Sequence, residues 1–162
     1  MLKRLNNPTT GRYNDLKNLV LGNEFPWYME SNPRDSFNFY SHVFLERPEA
    51  KLYPRVTSPH IDLFTEVLEE IFDYNNVSVN CILRMNANAI EPQKLEQQTV
   101  WHNDHEFFHT NILIYLTDAG GDTLVETDEH SPLEDDIIIF RGSHCHKLPT
   151  RKRRVVLVAT YI

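Results

Sequence analysis

Six of the eight histidines in this 162-residue chain lie between residues 102 and 146, and imidazole is the side chain best suited to ligate a metal or move a proton near neutral pH. His102-Asn103-Asp104 sets an imidazole and a carboxylate two residues apart. In an extended strand, side chains two apart point to the same face, so both groups converge. A third ligand from a distant strand, His146 or His144, would complete a two-histidine, one-carboxylate face. Such a face holds Fe(II) and leaves open positions for a cosubstrate and dioxygen. A His-x-Asp triplet alone carries little weight, because its residue types are common.

The same stretch contains a second pattern, His105-Glu106-Phe107-Phe108-His109. On a helix, histidines at i and i+4 bind zinc while the glutamate activates water, which is hydrolase chemistry. That reading requires a helix over residues 101–112. The β-rich run Thr110-Asn111-Ile112-Leu113-Ile114-Tyr115 follows at once, and no G-x-x-H continuation supplies a third histidine. Residues 105–109 therefore read as a polar loop, and a zinc hydrolase remains an alternative that the local structure decides.

Elements rigid enough to position these groups are visible on both sides. Tyr13, Leu16 and Val20 have helical spacing, with Asn14 as a candidate cap. The stretch from Phe25-Pro26-Trp27-Tyr28 to Phe37, Phe39, Tyr40 and Phe44, interrupted by Pro33, predicts short strands and loops packed by rings. A stronger helix runs from the Ser58-Pro59 start to about Asp73, with Ile61, Phe64, Leu68 and Ile71 on one face. Beyond Asn75-Asn76 the period shortens to that of strands, predicted over 77–85, 110–117, 122–126, 136–140 and 154–161. Ile112–Leu116, Ile137–Phe140 and Val155–Val158 are continuous apolar runs, so both faces of these strands must be covered. A sandwich or squashed barrel with helices outside one sheet satisfies that demand.

Composition narrows the function. With 41% apolar residues and 18 aromatics, the chain can bury one core, and a single domain over 1–162 is expected. The net charge of −7 excludes a surface built throughout to grip nucleic acid. No apolar run reaches the length needed to cross a bilayer, and the first residues lack the apolar stretch of a secretory signal. Cys81 and Cys145 read as free thiols, and a cytoplasmic protein is expected.

From about Val77 onward the sequence resembles the Fe(II)/2-oxoglutarate-dependent oxygenases of the prolyl-4-hydroxylase-like group, especially small versions encoded by bacteriophages of marine cyanobacteria. The pieces occur in order. They are Ile82–Asn88; His102-Asn103-Asp104; Ile114-Tyr115-Leu116; Gly120-Gly121-Asp122-Thr123; Phe140 with His146 six residues on; and Arg154 leading into Val155–Tyr161. The resemblance implies a mainly β fold with flanking helices: a double-stranded β-helix, jelly-roll and cupin-like, over 77–162. Residues 1–76 would form a helical and aromatic support. It implies His102, Asp104 and His146 as iron ligands, with Pro149 favouring His146 and His144 in reserve. Arg154, Tyr115 and Thr123 would bind 2-oxoglutarate. Guanidinium suits that role because it pairs bidentately with a carboxylate.

Further implications are Fe(II), 2-oxoglutarate and dioxygen, with ascorbate as an optional reductant. The reaction would hydroxylate a small-molecule or peptide substrate, a peptidyl proline first among candidates, with decarboxylation of 2-oxoglutarate to succinate. If the chain is phage-encoded, the compartment is the host cytoplasm. Three departures from the group stand out. His146 and Arg154 are eight residues apart, slightly short. Val156 replaces a small polar residue, and Arg84-Met85 replaces Arg-Tyr. Arg153 competes with Arg154 for the anchor, since a one-residue slip reverses the face of a strand. Arg151 and Lys152 read as a solvated basic turn, and Cys145 as packing. Substrate choice is expected in residues 25–57 and 89–100. The remaining alternative is a noncatalytic β-sandwich binding protein, which predicts scattered histidines.

Overall fold

A computed structural model describes residues 1–31, 37–50 and 53–162. Pro33, and with it part of the expected substrate loops, lies outside the described residues. Among the described residues ten strands form two antiparallel sheets. The larger sheet contains β1 (Leu2–Leu5), β2 (Tyr28–Ser31), β3 (Asn38–Leu45), β4 (Ile82–Ile90), β5 (Thr110–Tyr115), β8 (Ile137–Phe140) and β10 (Arg154–Tyr161), in the order β1-β8-β5-β10-β4-β3-β2. The smaller one is β7 (Asp128–His130), β6 (Thr123–Val125) and β9 (His144–His146), in the order β7-β6-β9. Isolated bridges from His102 to His144 and from Gln98 to Lys147 extend it by the segment that carries the His-x-Asp triplet.

Alternation along the central strand β10 sets the layers. Val155, Leu157, Ala159 and Tyr161 face outward and pack with the helices, while Val156 and Val158 face the space between the sheets. The partners obey the same alternation, with Ile112 and Ile114 outward and Leu113 and Tyr115 inward on β5. The apolar runs are thus continuous because both faces are covered. Helix α1 (Gly11–Leu21) buries Tyr13, Leu16 and Val20, and α2 (Ile61–Tyr74) buries Phe64, Val67, Leu68, Ile71 and Phe72 against the outward face.

Several boundaries differ from the sequence expectation. The cap of α1 is Thr10, whose hydroxyl accepts from the Tyr13 backbone N–H, so Asn14 lies inside the helix. Ser58 does not cap α2: its hydroxyl sits 2.8 Å from His42 Nε2, and the helix begins three residues later at Ile61. The strand expected over 77–85 is Ile82–Ile90, displaced toward its partner β10. Strands β1, β7 and β9 were not expected as strands; each has only three or four residues, too few for a periodic signal. Residues 101–109 form no helix, and β5 starts at Thr110, which removes the frame a zinc hydrolase would need.

Candidate functional site

A cavity of about 320 Å³ opens between the two sheets, lined by residues that include Arg84, His102, Asp104, His144, His146 and Arg154. Within that lining the side chains of His102, His144 and His146 bring one ligating atom each within 4.8 Å of one another. Pairing explains the convergence. His102 and His144 are direct cross-strand partners, joined by backbone hydrogen bonds of 2.9 and 3.0 Å, so both imidazoles project to the same side. His146 follows two residues later on the same face. Cys145, between them, points the other way and is fully buried, as the alternation requires.

Asp104 joins this group from the other side. Its Oδ2 lies 3.6 Å from His144 Nε2, and its Oδ1 is held by the Arg84 guanidinium. Arg47 donates to the Asp104 carbonyl at 3.1 Å. Burial pushes the Asp104 carboxyl up, but its charged neighbours, the Arg84 guanidinium foremost, outweigh it and hold the group at about 2, so it is ionised at neutral pH. Burial pushes His144 down to about 4 against the pull of Asp104, which leaves its imidazole neutral. His146 is also pushed well below the usual range, chiefly by burial. A carboxylate beside neutral imidazoles is the donor chemistry that Fe(II) requires.

The two candidate distal histidines lie at different ring separations from His102, and both converge with it. Two imidazoles on one metal at right angles, with metal–nitrogen bonds of about 2.1 Å, bring their ring centres about 4.6 Å apart. His102 and His144 are at 4.3 Å, whereas His102 and His146 are at 6.0 Å. His102 Nδ1–H donates to the Val100 carbonyl at 2.9 Å, which leaves Nε2 with its lone pair.

The far end of the cavity is built differently. Arg154 is 3% exposed, and its Nη1 donates to the carbonyls of Gly121 and Lys147 at 2.9 and 3.0 Å. Its Nε has no partner, and it faces no carboxylate among the described residues within ion-pair distance. Gly121 makes this approach feasible: its φ is +83°, and a Cβ there would meet Lys147 O at 2.5 Å and Arg154 Nη1 at 3.0 Å. Tyr115 Oη lies 2.6 Å from Thr123 Oγ1, which lies 2.9 Å from His146 Nδ1. Burial raises the Tyr115 phenol to about 12, so it keeps its proton. A buried, charge-unpaired guanidinium beside a phenol is a receptor for an anion.

Five of the six expected site residues line one cavity, and the sixth, the fully buried Thr123, is hydrogen-bonded to Tyr115 and His146. Arg153 is exposed and pairs with Glu91, and exposed Arg151 pairs with Asp118. His105 and His109, expected in a polar loop, are instead buried. His105 Nδ1 lies 2.5 Å from Glu49 Oε1 and its Nε2 2.7 Å from Thr160 Oγ1, so neither nitrogen is available for zinc. Sequence reasoning missed the part played by Arg84. The even positions of β4 face inward once its register on β10 is known, and that register places Arg84 opposite Thr160, beside Asp104.

No protein-family model matches the chain, and no curated protein matches it by sequence. Solved structures do. A 2OG-Fe(II) oxygenase family oxidoreductase from Burkholderia pseudomallei superposes with a TM-score of 0.66 at 14% identity, over 92% of this chain and 76% of that one. A prolyl hydroxylase from Trichoplax adhaerens, solved with a peptide fragment of the hypoxia inducible factor oxygen degradation domain, gives 0.63 at 12%, over 99% and 83%. The viral collagen prolyl hydroxylase of Paramecium Bursaria Chlorella virus-1 gives 0.58 at 11%, over 99% and 94%. The chain thus has the double-stranded β-helix fold found in 2-oxoglutarate/Fe(II) oxygenases and prolyl hydroxylases.

Proposed function

We propose that this protein is an Fe(II)- and 2-oxoglutarate-dependent dioxygenase that hydroxylates a C–H bond of a small-molecule or peptide substrate. The observation that carries the reading is one cavity lined both by a cluster of metal-ligating groups and by a buried arginine without a carboxylate partner. Fold alone would not support it, because this architecture hosts several chemistries. When bound, Fe(II) and 2-oxoglutarate supply with dioxygen the oxidising power for hydroxylation, and 2-oxoglutarate leaves as succinate and carbon dioxide.

The chain's own residues have separable parts. His102 and Asp104 are the proposed ligands from the triplet, with His146, which the sequence pattern favours, or His144 as the distal imidazole. The ring of His144 is 4.3 Å from that of His102 and the ring of His146 6.0 Å, and all three imidazoles converge. Arg84 keeps Asp104 ionised and oriented. Arg154 holds the far carboxylate of the cosubstrate, with Tyr115 as second donor and Thr123 buttressing the phenol. Leu113, Val156 and Val158 keep the cavity walls dry between the two ends. Phe37, Phe39 and Arg47 contribute to the lining from the segments expected to choose the substrate. Cys81 and Cys145 are free thiols, which suits a reducing cytoplasm. Among the described residues no helix is long and apolar enough to cross a membrane.

The test is visible absorption of the anaerobic protein with Fe(II) and 2-oxoglutarate. A charge-transfer band is expected in the parent and lost in His102→Ala and Asp104→Ala, and whichever of His146→Ala and His144→Ala abolishes it identifies the distal ligand. No band in the parent, under conditions where Fe(II) is retained, would sink the reading. Succinate release with peptidyl-proline substrates, dioxygen and ascorbate then tests the first substrate candidate.

A further inference from the structure

We infer that Arg47 binds the substrate, and that the substrate is a small carboxylic acid with an apolar body whose carboxylate lies close to the carbon that is oxidised. The inference rests on the oxygenase reading and names the substrate class of the same cavity.

The charge of the cavity leads to it. Arg47, Arg84 and Arg154 line the space beside a single carboxylate, Asp104. Imidazoles that ligate a metal are neutral, so the lining carries three positive charges against one negative. The charges of a divalent metal and a dicarboxylate cosubstrate cancel and leave that excess unchanged. Glu49, outside the lining, lies near both Arg47 and Arg84 and removes one charge of the excess. Among the described residues one guanidinium therefore stays uncompensated, in a protein whose net charge is −7.

Arg47 is the guanidinium placed to meet an anion there. Arg84 is engaged by Asp104 Oδ1, and Arg154 is assigned to the cosubstrate. Arg47 Nη2 stands 3.8 Å from that same Asp104 oxygen, its Nη1 donates to the Asp104 carbonyl at 3.1 Å, and its side chain remains 42% exposed. A guanidinium has five N–H donors, so a fork remains for a carboxylate. The backbone that carries Arg47 is tied on both sides. The Glu46 N–H donates to Arg55 O at 2.8 Å, and Glu49, in the 3-10 turn Pro48–Ala50, lies 2.5 Å from Nδ1 of buried His105. The cation is thus held in place before a ligand arrives.

Position and space set the size of the ligand. A carboxylate on Arg47 lies next to Asp104, a proposed metal ligand, so only a few bonds separate it from the reacting carbon. The cavity of about 320 Å³ is at the small end for ligand pockets and is shared with the cosubstrate. Phe37, Phe39 and Val100 give the rest of the substrate an apolar wall. A proline inside a peptide chain would bring a neutral amide to this cation, which favours a free acid over a chain-internal residue.

The experiment loads the full chain with Mn(II) and saturating 2-oxoglutarate and follows paramagnetic broadening of probe protons by nuclear magnetic resonance, which reports both affinity and nearness to the metal. The probes are N-acetyl-L-proline, N-acetyl-L-leucine and phenylacetate, each paired with its primary carboxamide. At least one acid should bind about tenfold tighter than its amide. That preference should fall below about threefold in Arg47→Met and in Arg47→Gln, two charge-free variants of which the second serves if the first does not fold. Both should keep Mn(II) and 2-oxoglutarate affinities within about threefold of the parent, because Arg84 and Arg154 are intact. Absence of any acid preference in the parent would overturn the inference, whether the amides bind equally or no probe binds. So would a preference that survives both substitutions, or a loss of Mn(II) or 2-oxoglutarate affinity of tenfold or more, which would assign Arg47 to the metal or the cosubstrate. A parent protein that takes up neither Mn(II) nor 2-oxoglutarate sinks the oxygenase reading itself; one that takes up both and shows no acid preference sinks this inference alone.

Discussion

Replacing Arg154 with methionine keeps much of the apolar stem of the side chain but removes a guanidinium buried to 3% exposure. Two effects oppose each other in the ligand-free protein. The carbonyls of Gly121 and Lys147 lose their donors, a cost of about 1–3 kcal/mol each. Against that, a buried charge without a carboxylate partner disappears, and such a charge costs several kcal/mol. The sum should leave unfolding free energy within about 2 kcal/mol of the parent. Binding has no such offset. Charge-assisted hydrogen bonds contribute about 1.5–3 kcal/mol each, so loss of a two-bond contact of about 3–4 kcal/mol raises the 2-oxoglutarate Kd by two to three orders of magnitude. Urea unfolding without ligand and calorimetry with Mn(II) measure the two quantities separately. Arg153→Met, which removes only an exposed pair with Glu91, should change neither. A 2-oxoglutarate Kd unchanged in Arg154→Met would refute the anchor. So would a collapse in ligand-free stability, which would make Arg154 a structural residue.

Two further outcomes test the frame around the site. Gly121→Ala forces a side chain into a backbone at φ +83° and against Lys147 O, so it should weaken 2-oxoglutarate binding at least tenfold and lower the thermal midpoint, read by calorimetry and circular dichroism. His42, whose Nδ1–H donates to Pro26 O at 2.8 Å, has its pKa lowered by burial despite that bond. Between its folded value and the unfolded value of about 6.5, the unfolded chain binds more protons, so stability rises with pH there and is lost as pH falls. His42→Gln should flatten this dependence of the urea midpoint between pH 5 and 7.5; an unaltered slope refutes the assignment.

Legibility followed the range of the signals. The long α2 pattern and the final strand could be read locally, because burial of one or both faces imposes a period on the chain itself. The edge strands β1 and β7 could not, since three or four residues become strands only through their partners. The His-x-Asp triplet and Arg154 were recognisable as types in an order. The state of His105 was not: its burial against Glu49 and Thr160 joins residues 55 or more positions away.

The sequence by itself determined which chemistry was on offer: imidazoles and a carboxylate two apart on an extended segment, a glycine pair that permits positive φ, and an arginine opening an apolar strand. Tertiary structure decided which of these groups meet. His144 and His146 have the same residue type and the same face, and no local rule separates them. They differ because pairing puts one opposite His102 and the other opposite Thr123, so one stands beside Asp104 and the other bonds to Thr123. Register across strands is a relation between distant parts of the chain, fixed by burial of whole faces, and it exists only once the sheets have formed.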